Sequence, residues 1–131
     1  MREPRWVPRV VIEAAHLDQL REHGGLSGLR DEKAVESALA RARQKWNYDP
    51  DSDLATLAAA YAFGLAKAHP FNDGNKRIAF LAMAIFLGLN NKEVNASEGD
   101  VVQVMVALAD GSLKEGELAT WVRARLARLT L

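Results

Sequence analysis

Cysteine is missing from all 131 residues. Disulfides and thiolate metal sites are therefore excluded, and a reducing cytoplasm is the natural setting. Proline is scarce, at positions 4, 8, 50 and 70 only, and β-branched alternation is scarce too, which argues against strands. Neither sign of charge is in excess: Lys plus Arg and Asp plus Glu are 17 each. No net field draws the chain to nucleic acid or to an anionic membrane, and no aromatic-basic stripe suggests direct nucleic-acid binding. The longest apolar run, Ile78 to Leu89, is too short to span a bilayer, and the start, MREPRWVPRV, lacks the apolar stretch of a signal peptide. A cytoplasmic protein is expected, with no membrane partner.

What the chain does have is alanine and leucine at helical spacing. A first helix is expected from about Val10 to Glu22, stopped by Gly24-Gly25, with Leu26 to Arg30 as a loop. Asp31 is placed to cap a second helix reaching about Arg43. Gln44 to Ser52, with Trp46, Tyr48 and Pro50, reads as a loop or flap. Asp53 caps a third helix whose Leu54, Leu57, Ala58, Tyr61, Ala62, Leu65 and Ala66 share one face. Pro70 disfavours helical geometry at His69 and ends that helix. Ile78 to Leu89 is apolar almost all round, which places it at the centre of a bundle. Two further helices are expected at about Ser97 to Ala109 and Lys114 to Leu129. The fold class is all-α, a six-helix bundle forming one domain over 1–131.

Between the two most apolar helices lies His69-Pro70-Phe71-Asn72-Asp73-Gly74-Asn75-Lys76-Arg77. Ionisable groups in so apolar a setting cost stability unless they pair or perform chemistry. Gly74 permits positive φ or a close backbone approach. The helix that follows opens with free N–H groups and the positive end of its dipole, a site for phosphate at Gly74 to Arg77. Lys76 and Arg77 oppose that dipole unless an anion sits there, and as a point charge and a fork they suit phosphate oxygens. Asp73 can hold Mg²⁺ bridging phosphate oxygens. Asn75 can orient a phosphate or cap the helix. His69, at the opposite lip, can take a proton from an incoming hydroxyl. Lys67, a turn earlier, is a further cation of undetermined direction.

Each residue has a structural alternative. His69 alone could be an interior histidine, Asp73 an N-cap and Asn72 a turn residue. Phe71 reads as a core anchor. His16 and His23 fall on the polar side of the first helix and read as solvated, and Trp6, Trp46 and Trp121 read as packing. Pro70 breaks the helix that would align His69 with Asp73 as a metal pair, and no third His or Cys lies nearby, so zinc is not expected. Taken jointly, the nine residues point to an enzyme that handles nucleotide phosphates.

HPFNDGNKR resembles the Fic motif, His-Pro-Phe-x-(Asp/Glu)-Gly-Asn-(Gly/Lys)-Arg, at every fixed position. The flanking stretches HLDQLREHGGLSGLRDEKAVESALARARQKW, YAFGLAKAHPFNDGNKRIAFLAMAIFLGLN and LADGSLKEGELATWVR resemble the Doc (death on curing) branch of the same superfamily. The resemblance implies a Fic fold with the motif loop between two central helices. It implies His69 as general base, Asp73 as Mg²⁺ ligand, and Gly74, Asn75, Lys76 and Arg77 as the phosphate-binding loop. Lys67 resembles the basic residue often found just before the motif histidine. Gln44 to Asp53 is read as a flap that aligns the target segment as an added strand.

Two departures from the AMP-transferring members bear on the reaction. They usually have glycine at the position of Lys76, and a second arginine where this chain has Phe80. The Doc branch shares this pattern and is thought to bind ATP reversed, presenting its γ-phosphate. By resemblance the chain is expected to be a toxin that phosphorylates elongation factor Tu with ATP and Mg²⁺ and arrests translation. AMP transfer and an inactive binding scaffold are the alternatives. The inhibitory pattern Ser/Thr-x-x-x-Glu-Gly/Asn is missing, since Glu98-Gly99 follows Val94 and Glu115-Gly116 follows Gly111. A separate antitoxin chain, inserting a helix into a groove, is the expected restraint.

Overall fold

The computed structural model describes residues 2–130. Six helices are present: α1 (Arg9–His23), α2 (Glu32–Tyr48), α3 (Leu54–Ala68), α4 (Asn75–Leu89), α5 (Glu98–Asp110) and α6 (Glu115–Arg125). Helix α3 is the axis of the bundle and packs on α2, α4, α5 and α6. Its alanines let neighbours come close while its large residues fill the centre: Leu57, Tyr61 and Leu65 are each at most 1% exposed. Burying each such side chain is worth about 1.5–3 kcal/mol. Gly64 serves the same end, since a Cβ there would sit 3.0 Å from the Ala38 carbonyl oxygen of α2.

Both ends of α3 are fixed by side chains. Asp53 caps its start by accepting from the Thr56 N–H at 2.9 Å, and Arg123 of α6 grips the same carboxylate at 2.7 Å. Tyr61 reaches out of the core to accept from the Val7 N–H at 3.1 Å. Its ring lies 5.1 Å from that of Phe86, which stacks in turn on Trp6. Trp6 and Trp46 are therefore packing residues, as is Trp121, which carries the Arg125 guanidinium over its ring.

Three expectations are corrected. Helix α2 continues to Tyr48, because Trp46 extends the buried stripe of Val35, Ala38 and Ala42 by another turn. Gln44 to Tyr48 is thus helix, and only Asp49 to Asp53 remains as connection. The final helix stops at Arg125, and β2 (Leu126–Arg128) follows. It pairs antiparallel with β1 (Lys92–Val94), with Glu93 opposite Ala127. His16 is not solvated: it is 2% exposed. Among the described residues no helix is long and apolar enough to cross a membrane.

Candidate active site

The motif loop runs from the end of α3 to the start of α4 and is held at almost every residue. His69 closes α3 in left-handed backbone, φ 47° and ψ 54°, a conformation that costs a non-glycine residue roughly 1–3 kcal/mol and persists only where surroundings enforce it. Arg30 enforces it, donating from Nε to the His69 carbonyl at 2.9 Å and from Nη2 to the Ala68 carbonyl at 3.0 Å. Those are two of the orphan carbonyls at the end of α3. The backbone N–H groups of Arg30 and Asp31 both donate to the Pro70 carbonyl, and Leu29 and Phe71 form an isolated antiparallel bridge.

Asn72 continues this seam. Its N–H donates to the Gly28 carbonyl and its Nδ2 to the Ser27 carbonyl, both at 3.0 Å. The α1–α2 segment Gly24 to Arg30 therefore lies along the motif. The Asp49 to Asp53 connection does not line the cavity at the motif, so the flap assigned to Gln44 to Asp53 is misplaced.

From beneath, His16 stacks on Phe71 with centroids 3.9 Å apart. Its Nε2 donates to the Asp73 carbonyl at 2.8 Å; the carbonyl can only accept, so that nitrogen carries the proton. Phe71 is buried as expected of an anchor.

Asn75 closes the loop on itself. Its Oδ1 accepts from the Phe71 N–H at 3.0 Å and its Nδ2 donates to the Phe71 carbonyl at 2.9 Å. The side chain expected to orient phosphate is thus occupied, and Asn75 can offer an anion its backbone N–H. Gly74, at φ 75°, is the N-cap of α4 and supplies no side-chain cap. The first N–H groups of α4 have no intrahelical acceptor and point out of the helix start.

His69, Asp73, Gly74, Asn75, Lys76 and Arg77 line one cavity of about 860 Å³. Lys76 and Arg77 are exposed and in no ion pair among the described residues, so their charge stands unneutralised at the positive end of α4. Asp73 is exposed and accepts through Oδ2 from the Leu26 N–H at 2.9 Å, leaving Oδ1 without a partner among the described residues. No group of three or more His, Asp or Glu suited to a metal exists among the described residues. A cation at Asp73 would complete its shell with water and phosphate oxygens, the usual manner of Mg²⁺. One carboxylate oxygen suits a hard, oxygen-seeking divalent cation of that kind.

Lys67 does not join the site. Its ammonium lies by the α5–α6 turn, where a Cβ on Gly111 would be 3.4 Å from Nζ, and over the Phe63 ring at 5.9 Å. Phe80, one turn past Arg77, does line the cavity. Beyond it the wall becomes apolar, with Leu81, Val101, Val102, Met105 and Val106 of α4 and α5. Val102 and Val106 are 56% and 46% exposed, an open apolar channel continuous with the cationic end.

The six-helix bundle thus brings this loop, with its histidine, carboxylate and cationic helix start, to one cavity. The Fic/DOC family is matched over residues 6–87, and the chain belongs to it. The chain is also similar to the protein named protein kinase doc of Escherichia phage P1, with 30% identity over 110 residues, covering 84% of this chain and 86% of that relative.

Arg30, His16 and Gln19 were not singled out from the sequence as site residues. Arg30 had no local signal, because its partners lie 38 and 39 residues away. His16 and Gln19 sit three apart on one face of α1, a pairing that a search for helical faces could have found.

Proposed function

We propose that this chain is a Doc-type protein kinase that transfers the γ-phosphate of ATP to a protein hydroxyl. The observation that carries the reading is the pairing, in one cavity, of His69 and Asp73 with a helix start bearing two unneutralised cations. His69 takes the proton as the target oxygen forms its bond to the γ-phosphorus. The bond from that phosphorus to the β,γ-bridging oxygen breaks, and ADP leaves. The α4 amides with Lys76 and Arg77 offset charge on the equatorial oxygens, the main requirement of phosphoryl transfer. Asp73 would hold Mg²⁺, which supplies further charge neutralisation when bound.

Phe80 favours γ-transfer over AMP transfer, because a phenyl ring occupies the place where a second cation would grip distal phosphates. The name of the phage relative supports the same reading. Elongation factor Tu is the proposed target, translation arrest the proposed outcome, and an antitoxin the proposed partner. The antitoxin would set an apolar helix along Val102 and Val106, beside the catalytic end.

The test is purified elongation factor Tu incubated with the protein and either γ-labelled or α-labelled ATP. Label from the γ position alone is expected, while label from the α position alone would establish AMP transfer instead. Growth arrest on expression of wild type but not of His69→Ala separates an enzyme from an inactive scaffold.

A further inference from the structure

Gln19 is a buried side chain at the motif whose hydrogen-bonding groups have no partner. It is 5% exposed, and neither Nε2 nor Oε1 is bonded among the described residues. Buried amides are ordinarily satisfied, and an exception requires a reason. The side chain projects from α1 against the start of α4: a Cβ on Gly74 would lie 2.0 Å from Nε2. It forms part of the cavity wall together with Gly74, Lys76 and Arg77. Slack in α1 is not the reason, since His16, one turn earlier, is bonded to the Asp73 carbonyl and stacked on Phe71.

We propose that Gln19 is a further phosphate-binding residue, whose Nε2 donates to a phosphoryl oxygen of the nucleotide seated at the start of α4. The inference rests on the phosphate-site reading above but not on which phosphoryl group is transferred. The backbone amides of α4, Lys76 and Arg77 are all donors, and the acceptor they share is the one that Gln19 Nε2 lacks. A neutral amide adds a donor from the α1 side without adding repulsion to two cations already close together. Gly74 has no side chain to separate that donor from the anion.

The test uses the full chain and two probes, ATP and inorganic pyrophosphate, titrated calorimetrically into wild type, Gln19→Met and Gln19→Glu. The methionine keeps the length and removes both unpaired polar atoms. Its melting temperature without nucleotide is expected to equal or exceed that of wild type, while its affinity for both probes falls about tenfold, the scale of one hydrogen bond to a charged group. Gln19→Glu, which sets a carboxylate against phosphate, should bind more weakly still. Unchanged affinity in the methionine variant overturns the proposal. So does a lowered melting temperature with binding lost only in proportion to the unfolded fraction, which marks a structural role.

Nuclear magnetic resonance of wild type supplies a readout that needs no variant. The Gln19 side-chain NH₂ signals should shift on adding pyrophosphate, and signals that stay in place overturn the proposal. Transfer of α-label would refute the kinase reading while leaving Gln19 as a phosphate contact. Intact γ-transfer with unchanged affinity in Gln19→Met would do the reverse.

Discussion

Arg30 fixes His69 through the backbone: its guanidinium bridges the carbonyls of Ala68 and His69 at 3.0 and 2.9 Å. The histidine that faces the cavity is thus oriented by a residue from the segment joining α1 to α2. Arg30→Ala is expected to cost about 1–2 kcal/mol of stability and to lower kcat roughly tenfold or more through misplacement of the base. The KM for ATP should change little, because Arg30 does not line the cavity at the start of α4. Arg30→Lys should recover part of the stability but little activity, since an ammonium cannot bridge both carbonyls as the planar fork does. Thermal melting and steady-state kinetics on the same preparations check both halves.

His69→Asn isolates the imidazole. Asparagine tolerates left-handed backbone, and the His69 side chain is exposed, so stability should stay within about 0.5 kcal/mol of wild type. Phosphoryl transfer should fall roughly 10²- to 10⁴-fold. Activity within a few-fold of wild type would remove His69 from the role of base.

Asn75 is expected to be a residue of the fold as much as of the site. Asn75→Ala leaves both polar groups of the Phe71 backbone without their partner and should cost about 2–3 kcal/mol, measured as a lower urea midpoint at unchanged slope. Asn75→Asp should fall between, because a carboxylate accepts from the Phe71 N–H but repels the Phe71 carbonyl.

Asp53 predicts an acid limb in the stability curve. The Arg123 guanidinium holds its carboxyl well below the usual carboxylate range; partial burial opposes this, and the hydrogen bonds from Thr56 add to the lowering. A carboxyl with a depressed folded-state pKa stabilises the fold above its unfolded value, near 3.8, and that contribution is lost as pH falls below it. About half of the side chain is in water, so the pair is worth at most about 1 kcal/mol. Asp53→Asn should therefore be slightly less stable than wild type at pH 7, with the gap closing below about pH 4. A gap that is constant with pH would place the effect in the cap alone.

The helical frame was legible because apolar spacing is local: the face from Leu54 to Ala66 is the buried face of α3. The motif was legible because its residue types are so unlike their surroundings. What escaped were features set by distant partners. Gln44 to Ser52, with Trp46, Tyr48 and Pro50, reads as a loop, yet Pro50 disfavours helix only from the residue before it onward, and α2 runs on to Tyr48. Leu126 to Arg128 looked helical because its strand partner, Lys92 to Val94, lies more than thirty residues back. His16 looked solvated because its two contacts, Phe71 and Asp73, come from the far side of the chain.

Helix α4 has the motif loop at one end and its moorings at the other. Asn90 accepts from the Arg5 N–H and donates to the Arg5 carbonyl, and just beyond it β1 takes up the strand that contains Arg128. Residues 5 and 128 are thus fastened at the same corner, a helix length of roughly 22 Å from the motif loop. Fluorophores, affinity handles or surface tethers attached near either residue should leave the motif cavity unobstructed.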